Sequence, residues 1–248
     1  MNKEWLEKIN MTLEERANLE RWCENIGYKR YESICNSIIE KTKRKSVNYS
    51  VLQVIAKYDF CLSDFLHSML KFIELRFRSY LDNNYGELLI TRQEFLYQIS
   101  NKLTNGKRRL DCSTYYDKKL KDETTLGEFL TASSMETLLR VLFLLPKKEL
   151  EVFNNNIAQL KEELTKIKSA RNYVAHGQVL IFNEKFNLKE MIVLMLKYMP
   201  TKESKLKRID ELDKLNKRLF EEECKLPDIL RESVSIVLKK KELEEIGL

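Results

Sequence analysis

Nine residues punctuate this chain of 248: Gly27, Gly86, Gly106, Gly127, Pro146, Gly177, Pro200, Pro227 and Gly247 are its whole complement of glycine and proline. These two residue types end helices and turn strands. Their scarcity leaves long stretches in which nothing stops a helix, and the apolar residues within those stretches recur at three- and four-residue steps, the spacing of one helical face. The chain is expected to be all-α.

The pieces can be placed individually. Thr12 followed by Glu15 reads as a capping box, opening a helix that runs to about residue 25, with a second helix over about 31–42. Between Tyr49 and about Asp82, Leu52, Ile55, Ala56, Phe60, Leu66, Leu70, Ile73, Phe77 and Leu81 give a long central helix. Further helices are expected over 92–103, 126–145, 147–154, 157–176, 188–199, 201–223 and 228–246, with a tyrosine-rich connection at 104–125 and a short extended piece at 179–182. Residues 1–200 form the main domain, and 201–248 a charged helical extension packed on or beside it.

Composition narrows the class. With 43% hydrophobic and 33% charged residues the chain can bury a core and is not disordered. No run of about 18 apolar residues is present, and Lys3, Glu4, Glu7 and Lys8 spoil any leader, so neither a membrane span nor a signal peptide is expected and the cytoplasm is the default compartment. Five scattered cysteines without a C-x-x-C pair argue against a disulfide framework. No carboxylates, histidines or cysteines stand at metal-ligand spacing, so no metal and no cofactor is expected.

The net charge of +6 is unevenly spread. Residues 201–248 carry twelve cations and twelve anions, so the excess lies in residues 1–200. Two clusters stand at apparent element ends: Lys41, Lys43, Arg44 and Lys45, then Lys102, Lys107, Arg108 and Arg109. Each is either a solvated loop or a grip on a phosphate backbone.

The chemistry concentrates in one helix. Ile157, Leu160, Leu164, Ile167 and Val174 form a stripe whose rhythm asks for an apolar residue near 171, where Arg171 stands beside Asn172. A guanidinium on a core-facing position either pairs with a carboxylate, such as Glu74, or faces a polar cleft. His176 closes the helix immediately before Gly177; histidine is the side chain that exchanges protons at working pH. The other histidine, His67, reads as structural. Arg171 and His176 lie five residues apart, about 140° around a helix, so a single helix does not aim both at one atom. Two copies across a two-fold axis do, and a cleft of Arg, Asn and His suits a phosphate.

These residues resemble a known family. Arg171-Asn172-Tyr173-Val174-Ala175-His176-Gly177 is similar to the R-x-x-x-x-H signature of HEPN ribonucleases, in the form seen in Abi-like (abortive infection) bacterial anti-phage proteins. Ile26–Tyr31, Tyr58-Asp59-Phe60 leading to Ile73–Arg78, and Thr125-Leu126-Gly127-Glu128-Phe129 also resemble that family, in its order. The resemblance implies a HEPN-like helical bundle with additional C-terminal helices, acting as a metal-independent endoribonuclease in which a ribose 2′-hydroxyl attacks its own phosphodiester. His176 is implied as general acid/base, Arg171 as the stabiliser of phosphate charge and Asn172 as an orienting group. Glu74, Arg78 and Tyr173 are implied in support, Glu74 by holding Arg171 or packing the bundle, and the basic clusters as the hold on RNA. A homodimer, RNA as substrate, and restraint by an antitoxin protein or RNA complete the expectation. The alternative is a non-cleaving HEPN module that forms a ribonucleoprotein with a small non-coding RNA.

Overall fold

The computed structural model describes residues 4–91, 123–183, 186–221 and 226–248. The helix expected at 92–103, residues 104–122 of the expected connection, and Lys102, Lys107, Arg108 and Arg109 lie outside the described residues. In chain order, a 3-10 helix (Glu4–Lys8) precedes β1 (Ile9–Asn10), α1 (Leu13–Ile26), α2 (Tyr28–Thr42), β2 (Val47–Asn48), α3 (Tyr49–Tyr85) and β3 (Leu89–Thr91). Then come β4 (Glu123–Thr125), α4 (Leu126–Ala132), α5 (Met135–Leu142), α6 (Lys147–Leu150), α7 (Ile157–Ala175), α8 (Leu188–Lys197), α9 (Lys202–Glu221), α10 (Asp228–Val234) and α11 (Lys240–Glu245). The fold is all-α, the strands being two or three residues long. No helix is long and apolar enough to cross a membrane among the described residues.

The chain divides into two compact units, residues 1–69 with 170–248, and residues 70–169. Residues 201–248, expected as an extension, belong to the first unit. In that unit α1 opens as its sequence demands: Thr12 Oγ1 accepts from the Glu15 N–H at 3.2 Å and the Glu15 carboxylate accepts from the Thr12 N–H at 2.6 Å. α2 begins three residues earlier than expected. Gly27, at φ 107, is the single residue separating the two helices, and that conformation is one L side chains rarely adopt. β1 and β2 pair in parallel, Ile9 opposite Val47. Ile34, Leu52, Ile55, Leu62, Leu66 and Met69 are fully buried and form the heart of this unit.

The helix expected over 228–246 is two short ones. Ser235 is extended, and the backbone of buried Ile236 turns to Asn216 instead of continuing a helix: its carbonyl accepts from Asn216 Nδ2 at 2.8 Å and its N–H donates to Asn216 Oδ1 at 3.4 Å.

The second unit is built on Phe77, Leu81, Leu138, Leu142, Leu160 and Leu164, all fully buried. β3 and β4 pair antiparallel within it, Leu89 opposite Thr125, where only a connection was expected. The helix expected over 126–145 breaks at Ser133. Ser134 Oγ accepts from the Thr137 N–H at 3.3 Å, starting a new helix, and the Ser133 carbonyl accepts from Arg78 Nη2 at 2.6 Å. Serine side chains and an arginine thus take over backbone groups that a continuous helix would have paired.

Candidate functional site

The last turn of α7 differs from the expected phase. Leu160, Leu164, Ile167 and Ala170 are fully buried and Val174 nearly so. The core stripe steps by three onto Ala170, so Arg171 is not core-facing: it is half-buried beside the stripe. Small Ala170 makes this phase possible, and no buried counter-ion is then required. Asn172 and His176 are exposed. Among the described residues no hydrogen bond or ion pair engages the Arg171 or His176 side chain. Tyr173 stacks on Phe186, with ring centroids 5.4 Å apart and planes at 24°.

The helix ends one residue earlier than expected, at Ala175, and its termination fixes His176. The Gln178 N–H donates to the Tyr173 carbonyl at 3.2 Å and the Gly177 N–H to the Val174 carbonyl at 3.0 Å, with Gly177 at φ 61. This is a Schellman cap with glycine in its left-handed position. His176 is the capping residue, so its imidazole stands at the negative end of the helix dipole.

The chain beyond this cap is held from the side. Asp59 is completely buried on α3, and its Oδ1 accepts from the N–H groups of Leu180 at 2.8 Å and Ile181 at 3.0 Å. Its Oδ2 pairs with Arg30 Nη2 at 2.5 Å, and Arg30 Nη1 donates to the Gly177 carbonyl at 2.8 Å. Both carboxylate oxygens and two guanidinium nitrogens are thereby used to clamp residues 177–181. Burial pushes the Asp59 carboxyl above its ordinary value, opposed by the Ile181 N–H, the Arg30 charge and the Leu180 N–H. Within the piece expected as extended over 179–182, residues 181 and 182 form a turn, and Asp59 takes the Leu180 and Ile181 N–H groups that a strand would offer to a neighbour. Phe182, at φ 64, sits in the left-handed region, a genuine outlier for an aromatic residue.

The residue before Asp59 is anchored as well. Tyr58 Oη donates to Asn216 Oδ1 at 2.8 Å in the core, and burial, reinforced by the Asp59 charge, holds the Tyr58 phenol well above its ordinary value. The hydroxyl therefore stays a donor.

The basic cluster at the end of α2 adjoins the same turn. Lys41 Nζ lies 5.5 Å from the centre of the Phe182 ring. Lys43, at φ 53, ends α2, and Lys43, Arg44 and Lys45 are exposed. In the second unit, Glu74 Oε1 accepts from Arg78 Nη2 at 2.5 Å, so these two residues serve each other and the Ser133 break. His67, expected as structural, is exposed. The clamping role of Arg30 and Asp59 was not foreseen, although both lie in stretches that carry the resemblance; its signal was a carboxylate among the apolar positions of α3. Among the described residues no three His, Cys, Asp or Glu side chains gather as a metal ion would require. Compared with known proteins, the chain matches no family model, no curated protein and no solved structure.

Proposed function

We propose that this protein is a metal-independent endoribonuclease of an anti-phage or toxin-type system, with a composite site at a homodimer interface. His176 takes the proton of a ribose 2′-hydroxyl as its oxygen attacks phosphorus. The 5′-oxygen leaves and is protonated, so the products are a 2′,3′-cyclic phosphate and a 5′-hydroxyl. Arg171 neutralises the charge that builds on the phosphoryl oxygens, and Asn172 orients them. The partner copy supplies the residue that one helix cannot aim at the same atom. Lys41, Lys43, Arg44 and Lys45 hold the RNA backbone in a salt-dependent way. A protein or RNA antitoxin restrains an activity that would otherwise harm the cell.

The observation that carries this reading is the clamp. Three separate stretches that resemble the Abi-like family, Ile26–Tyr31, Tyr58–Phe60 and Arg171–Gly177, meet through Arg30, Asp59 and Gly177 at the turn that follows an exposed His176. Asp59 satisfies the buried amides of Leu180 and Ile181 while its partner Arg30 reaches the exposed Gly177 carbonyl, so one buried ion pair holds still the chain next to His176.

The test is incubation of wild type and His176→Ala with a labelled mixed-sequence RNA in EDTA, reading fragment ends for 2′,3′-cyclic phosphate. Cyclic ends from wild type alone support the reading. RNA retained but uncut by both proteins replaces it with the non-cleaving module.

A further inference from the structure

Trp22 is one of two tryptophans, and they are placed oppositely: Trp5 is 3% exposed and Trp22 52% exposed. Phe60, on α3, is 48% exposed. Both rings line one groove between α1, α2 and α3, a cavity of about 410 Å³ whose walls also include Tyr31 and Tyr49. This is within the range of sites that hold small organic ligands, roughly 300–1,000 Å³. The charged residues lining it are Arg30 and Lys57, and no carboxylate does so among the described residues. Asp59 already neutralises Arg30, so it is the four aromatic rings that mark the groove out, and they suit a flat, unsaturated ligand.

Arg30 ties this groove to the candidate site. Its guanidinium lies 6.0 Å from the centre of the Phe60 ring, and the same group donates to the Gly177 carbonyl at 2.8 Å. A chain of nucleotides crossing Gly177 therefore meets the groove within the span of one arginine head.

We propose that the groove is a base subsite: it receives an unstacked base of single-stranded RNA, next to the phosphate handled by Arg171 and His176, with Trp22 and Phe60 as stacking surfaces. The proposal rests on the ribonuclease reading for the identity of the strand. It adds that recognition has an aromatic component beside the ionic one, so part of the affinity persists at high salt.

The test uses the full chain carrying His176→Ala, which keeps RNA intact, and a labelled single-stranded RNA 10-mer followed by anisotropy, with a matched 10-mer of abasic sites. Trp22→Ala is expected to weaken binding about 5- to 150-fold, the range for loss of one stacked base, while Trp22→Phe retains most of the affinity. Leu206→Ala, which removes an exposed apolar side chain outside the groove, leaves it unchanged. The abasic strand should bind the parent weakly and lose little more on Trp22→Ala. If RNA binds and neither Trp22→Ala nor Phe60→Ala weakens it, the subsite is refuted and the ribonuclease reading stands. No RNA binding by the parent overturns that reading and the subsite with it. Tighter quenching of Trp22 by a nucleoside monophosphate than by RNA assigns the groove to a free nucleotide. A dimer that becomes a monomer on Trp22→Ala, seen by sedimentation, assigns it to the contact between copies; either result overturns the proposal.

Discussion

Asp59 reaches 121 residues along the chain to accept the N–H of Leu180 at 2.8 Å, and it does so with no solvent exposure at all. The same carboxylate neutralises Arg30, so one side chain organises both a charge and a turn. Replacing Asp59 with asparagine keeps an oxygen for the Leu180 and Ile181 amides and leaves Arg30 without its counter-charge. Uncompensated burial of this kind costs about 3–5 kcal/mol. Urea denaturation should show that loss, hydrogen exchange should show faster exchange at Leu180 and Ile181, and Asp59→Asn with Arg30→Met should recover part of the stability. Unchanged stability with protected amides in the single variant would refute the clamp.

Truncating the exposed His176 should separate chemistry from folding. His176→Ala is expected to lower cleavage by about 10²- to 10⁴-fold while moving stability by no more than about 0.5 kcal/mol. Arg171→Ala should reduce both rate and RNA affinity. Mixing the two inactive variants should return activity if each site draws residues from two copies, since some mixed dimers then hold one intact site. Equal melting losses with no change in RNA handling would sink the assignment.

Tyr58 supplies a prediction at alkaline pH. Its folded-state pKa is raised by burial, above an unfolded value near 10. Its contribution to stability is therefore complete below that pH and is lost as pH rises from about 10 through the folded value. Tyr58→Phe should cost about 1 kcal/mol near neutrality, for the hydrogen bond to Asn216. It should also flatten the fall of the urea midpoint above pH 10. The flattening is partial, because Tyr31, Tyr49, Tyr80 and Tyr85 are shifted in the same direction. An identical alkaline slope in the variant would exclude Tyr58 as a contributor.

The described cysteines should differ in reactivity. Cys35 is fully buried and its thiol is pushed up to about 11 by burial, Cys23 is equally enclosed, and Cys61 is half-buried. At pH 8, peptide mapping after brief alkylation should find Cys61 modified well ahead of Cys23 and Cys35, which react only in urea. Early modification of Cys35 would contradict its burial.

What the sequence made legible was local. Thr12 and Glu15 announce their cap, Gly177 announces the end of its helix, and the apolar rhythm of 49–82 announces α3 nearly to its last turn, because each signal lies within a few residues of its effect. Three features escaped for the opposite reason. Ser133 breaks a helix with help from Arg78, 55 residues away; Asn216 breaks another at Ile236; and Ala170, not residue 171, meets the core because tertiary packing chose between two equally helical phases. For the candidate site, Arg171, Asn172 and His176 were readable as a motif. The partners that immobilise the turn after them were present in the same sequence, but their roles depend on a long-range meeting that no periodicity encodes.

The division of the chain sets a condition on its birth. The first unit is discontinuous in sequence, and its later part, from residue 170, follows the whole of the second unit. Chains emerge from the ribosome N-terminus first, so Arg30 and Asp59 wait through more than a hundred further residues before Gly177 and Leu180 arrive. A fragment that ends before residue 170 carries Arg30 and Asp59 without the turn they hold, and it lacks His176 altogether. Under the proposed ribonuclease function, a chain that stops before residue 176 has no active site to restrain.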